Sequence, residues 1–308
     1  MQQVCGGGLV LFVILLTWVS SPIMTAAPLV LWYQFGWVWP ALVLALYVAS
    51  RAVLPLGPWP AFHRRLRRLN SQMPYFRSQR TVFQTEDAIP APDSKMMYAV
   101  YPHGCLCLGP TVNLCLSPFT ERCQFKLLVA PALFWLPGVS ELFSWIFATS
   151  ASKSNTLSLM KQGKNIAILP GGFQDLALYQ KDEFHVYVSQ RKGFIKYCLQ
   201  YGYNVSPVFT FGEERTYSAL RSFLPFRLRL SSYNVPSALF ASKLGFMPDP
   251  DVDMVTVIGD ALPLPKIANP TAAEVDEHHA RFVSALVALF DRYKGQYAAD
   301  PNAVLYCH

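Results

Sequence analysis

The chain has 308 residues, 52% of them hydrophobic and only 15% charged, with 26 Lys and Arg against 19 Asp and Glu for a net charge of +7. This composition excludes a disordered or collagen-like chain and argues against a freely soluble protein. The positive balance fits an anionic partner such as a lipid headgroup or a phosphorylated co-substrate; nucleic acid is disfavoured because no recognition motif accompanies the charge.

The first Lys, Arg, Asp, Glu or His is Arg51, so the fifty residues before it read as a membrane segment. Two apolar runs, Leu9–Val19 and Leu29–Val53, flank Ser20, Ser21, Pro22 and Pro28, which suit a turn better than a helix interior. At about 20 residues per crossing, residues 1–54 are expected to form a transmembrane helical hairpin with both ends in the cytosol. A single tilted or re-entrant anchor is the alternative. A cleaved signal peptide fits less well, because Met1–Gly8 carries no basic residue and a second apolar run follows at once. Arg51, Arg64, Arg65, Arg67 and Arg68 mark a cytoplasmic flank. Residues 55–95 read as a basic membrane-proximal segment and linker, with a loop over Thr85–Ser94.

From residue 96 to 308 the chain reads as one domain. Met96–Tyr101, Phe125–Ala130, Asn165–Leu169, Val205–Phe211 and Met254–Ile258 are short apolar runs bounded by Pro, Gly or polar residues, the pattern of buried strands. Helix-length stretches lie between them at Ser152–Gln162 and Arg191–Tyr201. A last helix begins after Pro270, where Thr271-Ala272-Ala273-Glu274 forms a capping box and Val275, Phe282, Leu286 and Leu289 share one face. The expected fold class is therefore α/β, a mixed sheet covered by helices. Leu133–Pro137 and Leu142–Phe147 suit core or lipid contact equally, whereas Leu220–Leu230 leans towards the membrane surface because its three Arg would be awkward to bury.

Candidate chemistry sits where strands end. Tyr101-Pro102-His103-Gly104 follows the first strand of this domain, and an imidazole in a stiff loop at a strand's carboxyl end is placed to act as a base. Pro170-Gly171-Gly172-Phe173-Gln174-Asp175 follows another strand. Its glycines turn backbone N–H groups outward towards a phosphate or an oxyanion, although a turn of no function has the same pattern. Arg191-Lys192-Gly193 opens a helix where an anion would be welcome, and Glu213 ends a third strand. The other His are less notable: His63 lies in the basic flank, His278 and His279 on the polar side of a helix, and His185 and His308 in unpatterned surroundings. Cys105 and Cys107 flank the His103 motif and make cysteine nucleophilia the enzymatic rival. Seven Cys without a second pair at zinc spacing indicate reduced thiols and no metal site.

Taken in order, Tyr-Pro-His-Gly (101–104), Pro-Gly-Gly-Phe-Gln-Asp-Leu (170–176), Arg-Lys-Gly-Phe-Ile-Lys (191–196), Pro-Val-Phe-Thr-Phe-Gly-Glu (207–213) and Val-Ile-Gly-Asp-Ala-Leu-Pro-Leu-Pro-Lys (257–266) resemble the diacylglycerol acyltransferase type 2 family. The resemblance covers roughly Asn70 to Tyr297. It implies a glycerolipid-acyltransferase-like fold and a membrane-bound enzyme that moves an acyl group from acyl-CoA, a co-substrate, to a neutral lipid acceptor with no cofactor. Diacylglycerol is the expected acceptor, with monoacylglycerol, wax alcohol or sterol as alternatives; a non-catalytic lipid-binding protein is the reading from another class. The implied location is the endoplasmic reticulum membrane or a lipid droplet, with multi-pass topology, a cytosolic catalytic domain and homo-oligomerisation left open.

In this frame His103 is the general base in direct transfer. The amides of Gly171, Gly172 or Gly104 meet the oxyanion, and Arg191, Lys192 and Lys153 meet the CoA phosphates, with Tyr101 and Pro102 at the substrate. The chain departs from the family at three places. Tyr101 stands where animal members have His, Asp175 where Glu is usual, and Lys153-Ser154-Asn155-Thr156 lacks an expected Arg. Leu108 occupies the position of the wider superfamily's Asp, so an acid that orients His103 must be Asp175 or Glu213.

Overall fold

The computed structural model describes residues 5–54, 56–85, 91–233, 235 and 237–308. Residues 86–90 of the expected loop lie outside them. Helix α1 (Cys5–Phe35) runs through Pro22 and Pro28 without a break, and only Gly36, at a φ of +66°, stops it before α2 (Val38–Val53). The turn expected at Ser20–Pro28 is thus displaced to Gly36-Trp37. An apolar surrounding penalises every unpaired backbone group, so a helix interrupted in mid-bilayer costs more than two proline defects within it. Among the described residues one helix, Gly7–Phe35, is long and apolar enough to cross a membrane; Val38–Arg51 is apolar but shorter. The first turns of α1 rest on the body of the protein, where Val10, Leu11, Ile14 and Leu15 are buried. Gly7 there lies against the backbone of Met73 and Tyr75, so close that a Cβ would collide with it.

The segment between residues 55 and 95 holds more than a linker. Helix α3 (Pro60–Gln72) docks on the body through buried His63, Leu66, Arg67 and Asn70, and β1 (Ser78–Phe83) joins the central sheet as its edge. Six further strands complete that sheet: β2 (Met96–Tyr101), β3 (Lys126–Val129), β4 (Ala148–Ser150), β5 (Ile166–Ile168), β7 (Asn204–Phe211) and β10 (Asp253–Ile258), in the order β1-β10-β7-β2-β5-β3-β4. β7, β2, β5, β3 and β4 are parallel, while β10 pairs antiparallel with β7 and parallel with β1. Two small ribbons lie outside it, β6 (Phe184–Val186) with β11 (Leu305–Cys307) and β8 (Ser218–Ala219) with β9 (Phe240–Ala241). The fold is the α/β class expected, with a parallel-rich mixed sheet.

Both faces of the sheet are covered, which is why its strands read as continuous apolar runs. Met97, Ala99 and Tyr101 of β2 pack with residues of α8 (Gly193–Tyr201) and α10 (Ala272–Tyr297) in the main core. Met96, Tyr98 and Val100 face Phe119 and Cys123 of α4 (Phe119–Cys123). The capping box of α10 is present, with Thr271 and Glu274 bonded reciprocally. Helices α5 (Val139–Trp145), α6 (Lys153–Lys161), α7 (Gly172–Leu178) and α9 (Leu224–Ser232) complete the body.

Two expectations about polar side chains are overturned. His278 and His279 are buried, because α10 is covered on more than its apolar stripe and His279 Nε2 donates to the Val188 carbonyl at 3.0 Å. Arg227 is buried as well; its Nε and Nη1 donate to the carbonyls of Ser237 and Leu220, while Nη2 is buried without a partner among the described residues. The neighbouring Phe223 and Phe226 are exposed, so the segment presents its aromatics outward.

Candidate active site

Parallel pairing places the carboxyl ends of β2, β5 and β7 side by side, and with them His103, the Gly171-Gly172 turn and Glu213. His103 is half-buried. Its Nδ1 lies 3.0 Å from the Gly104 carbonyl, which can only accept, so Nδ1 carries the proton and Nε2 presents its lone pair. Burial holds this imidazole below its ordinary pKa, and it is neutral near pH 7. Nε2 faces the Cys107 sulfur at 3.2 Å, so the thiol is placed to donate to its lone pair.

Neither acid touches the ring. Asp175 on α7 accepts backbone N–H bonds from His103 at 3.1 Å and from Tyr187 at 2.6 Å, one on each oxygen. It therefore fixes the main chain that carries the imidazole. Burial pushes its pKa up to about 6 against the lowering effect of those two amides. Gly171 makes room for it: a Cβ there would sit 2.0 Å from Asp175 Oδ1. Glu213 is fully buried and accepts from the amides of Leu108 at 3.1 Å and Gly109 at 2.6 Å, so it caps the helical turn that follows the His103 loop. Burial raises its pKa to about 8. Gly104, at a φ of +63°, lies over this carboxylate, and a Cβ would come within 2.2 Å of Glu213 Cγ. Gly104 and Gly171 thus each seat an acid, and each acid anchors the loop that carries His103.

Gly172 differs from its neighbour. It opens α7 at a φ of +53°, with nothing within 4 Å of a would-be Cβ, and its amide is at a helix start where no intrahelical acceptor exists. It is the open wall of the site.

The remaining expected residues separate. Tyr101 points into the main core beside Phe282, its hydroxyl buried without a partner, and Pro102 is buried behind the loop. Arg191 is half-buried against the site, bonded to Gln174 on α7 and lying over the Tyr187 ring. Lys192 turns away to an ion pair with Asp276 at 2.8 Å. Lys153 is exposed at the start of α6, after β4, three strands from β2. Cys105 and Cys107 do not share a face: Cys105 is buried in the cluster with Leu108 and Leu176, and only Cys107 meets the imidazole. Burial raises both thiols above their ordinary pKa, which opposes a resting thiolate.

Sequence reasoning missed Tyr187, whose contribution is a backbone amide and leaves no mark in residue type. It also missed Gln174, visible in the Gly-Gly motif as a polar side chain one residue before Asp175. Among the described residues no group of three or more His, Cys, Asp or Glu is arranged to hold a metal ion.

A family model described as diacylglycerol acyltransferase matches residues 58–308. Acyl-CoA wax alcohol acyltransferase 1 of Mus musculus is 29% identical over 71% of this chain and 72% of its own length. Diacylglycerol O-acyltransferase 2-like protein 6 of Bos taurus is 29% identical over 70% and 71%. The 2-acylglycerol O-acyltransferase 1 of Mus musculus is 24% identical over 98% of this chain and 90% of that one. Among solved structures, the 1-acyl-sn-glycerophosphate acyltransferase PlsC of Thermotoga maritima aligns with a TM-score of 0.42 at 15% identity, covering 79% of this chain and 94% of that one.

Proposed function

Since this chain belongs to the diacylglycerol acyltransferase family and is an acyltransferase, we propose that it esterifies diacylglycerol from acyl-CoA by direct transfer, with His103 as general base. The observation that carries this reading is the neutral imidazole at a strand end, whose Nε2 lone pair is met by the Cys107 thiol, a weak donor that an acceptor hydroxyl can displace, with the open Gly172 turn at a neighbouring strand end.

In the proposed step Nε2 takes the proton of the acceptor hydroxyl as its oxygen attacks the thioester carbonyl. The tetrahedral oxyanion lies at the Gly172 amide, where one good donor is worth about 3–4 kcal/mol. Collapse expels the CoA thiolate, which recovers the proton from His103. No acyl-enzyme forms. Asp175 and Glu213 act by position, holding the loop on either side of the ring. Arg191 is the cation best placed for a CoA phosphate, whereas the Lys192 and Lys153 assignments find less support in the geometry.

The lipid acceptor reaches this edge from the bilayer. Helix α9 packs on α7, which carries Asp175, and Phe223 before it and Phe226 within it are exposed; Phe12 of α1 packs against Phe246, adding to the apolar surface the acceptor would cross. In this reading α1 and α2 form a membrane hairpin and the body lies on the cytosolic face of the endoplasmic reticulum. An acceptor panel with purified protein tests the assignment. Diacylglycerol should give the highest kcat/KM, and preference for monoacylglycerol or a wax alcohol would reject it while keeping the acyltransferase.

A further inference from the structure

A second cleft lies on the opposite edge of the sheet from His103. Lys126 begins β3 and Lys164 precedes β5, so both sit at the amino ends of parallel strands, and β2, which pairs with β5, carries His103 past its carboxyl end. The length of a six-residue strand, about 20 Å, separates the two places. The cleft holds about 460 Å³ and its walls include His63, Arg64 and Arg67 of α3 together with Lys126, Lys164 and Phe147. Four cations face two acids there, and the acids are already engaged: Glu121 with Arg67, and Asp93 with Lys164 at 2.8 Å.

Two cations remain without a carboxylate among the described residues, Arg64 and Lys126. Lys126 is the more telling. It is half-buried over the Phe147 ring, 4.8 Å from its centroid, and desolvation together with Lys164 holds its pKa below the ordinary value. Asp93, already paired with Lys164, offsets this only in part, and an ammonium half-buried without an ion pair of its own carries a cost that a bound anion would reduce.

The same Lys126 and Phe147 also line an adjoining cleft of about 420 Å³, whose other walls include Arg51, Leu56, Phe134 and the hydroxyls of Ser144 and Thr149. Arg51 closes α2, and beside it Trp59 stacks on Phe62 at 5.4 Å and meets Trp145 edge-on at 5.2 Å. Aromatic groups of this kind settle at the headgroup level of a bilayer. One cleft is thus cationic, the other lined mainly by hydroxyl and apolar groups apart from Arg51, which pairs with Glu141, and Lys126, without an ion pair among the described residues, lines both.

We propose that this joined cleft binds an anionic phospholipid of the membrane, its phosphate between Lys126 and Arg64 and its glycerol and acyl carbons along Ser144, Leu56 and Phe134. The shared chemistry is a phosphate on a larger ligand, and the phosphates of CoA are the other source. Position favours the lipid, because the cleft opens by α2 and α3 and faces away from the edge where the acyl group is transferred.

The test uses the full chain purified in detergent, with dioctanoylphosphatidate as probe and dioctanoylphosphatidylcholine as its zwitterionic counterpart. Phosphatidate should bind, and Lys126→Gln and Arg64→Gln should each weaken it about tenfold, the loss of one charge-assisted contact. Lys243→Gln, an exposed cation elsewhere, should leave binding unchanged. Acyl transfer by both cleft variants in phosphatidylcholine nanodiscs should stay at the wild-type rate, which also certifies their folding. Equal binding of the zwitterionic lipid, or phosphatidate affinity indifferent to both substitutions, overturns the proposal. Displacement of phosphatidate by free CoA, with a raised KM for acyl-CoA in Lys126→Gln, overturns it in favour of the co-substrate.

Discussion

Replacing Gly104 by Ala tests whether Glu213 holds the catalytic loop. The new Cβ would lie 2.2 Å from Glu213 Cγ and 2.3 Å from Oε1, so the carboxylate must leave its seat. Its departure strands the buried amides of Leu108 and Gly109, each costing about 1–3 kcal/mol. A left-handed backbone at alanine adds about 1–2 kcal/mol. The sum, about 4 kcal/mol or more, should lower the melting temperature by about 10 °C and abolish acyl transfer. Gly172→Ala is the matched comparison. Its φ of +53° carries a similar backbone cost, but no atom lies within 4 Å of the added methyl. It should melt only about 4 °C lower while losing tenfold or more in kcat/KM, because the methyl enters the space assigned to the thioester carbonyl. Differential scanning fluorimetry and a radiolabelled acyl-CoA assay give both readings. A Gly104→Ala protein that melts with the wild type refutes the capping role of Glu213, and a fully active Gly172→Ala protein refutes the placement of the oxyanion.

Asp175→Asn leaves one oxygen for two amides and turns an NH2 against the other; kcat should fall about a hundredfold with the KM for acyl-CoA little changed, and unchanged kcat would show that His103 needs no such support. Tyr101→Phe removes a buried hydroxyl without a partner, so the melting temperature should rise by about 2–4 °C at unaltered activity; a loss of activity would place the phenol at the substrate. Stability should fall as pH rises from 5 to 8. Burial lifts the Glu214 pKa to about 7 and the Glu213 pKa to about 8, so each stabilises fully below its unfolded pKa and loses that contribution as pH climbs through the folded value. Glu214→Gln keeps an acceptor for the Gly212 amide and should flatten this fall by on the order of 3 kcal/mol, read from melting temperature against pH; an unchanged slope would contradict the burial argument.

The central strands were legible because burial on both faces leaves predominantly apolar runs such as Met96–Tyr101 and Val205–Phe211, the second interrupted only by Ser206, Pro207 and Thr210, and a run of that length ending at Pro or Gly has few other readings. β1 was not, since Ser78-Gln79-Arg80-Thr81 is an edge segment whose place is set by pairing with β10, far along the chain. Proline at 22 and 28 signalled a turn by a rule learned in water; α1 instead runs through both and ends at Gly36, a continuation that an apolar surrounding would favour. At the site, residue type identified His103, Asp175 and Glu213 as a strand-end group. It did not tell which atoms the acids would serve, because an acceptor for backbone amides and an acceptor for imidazole look the same in sequence. The ion pair of Lys192 was hidden for a related reason: Asp276, its partner, is eighty-four residues away and meets it through the packing of α10 on α8.

The claim on which the rest depends is that the His103 imidazole takes the acceptor's proton directly. Membranes containing the protein, given labelled acyl-CoA and diacylglycerol, should incorporate label into neutral lipid. Beside them, His103→Ala should lose at least about a hundredfold of that rate, as removal of a general base does, while Cys105→Ser/Cys107→Ser keeps most of it. Retained activity in His103→Ala together with loss in the double serine variant would contradict direct transfer and hand the chemistry to the thiol.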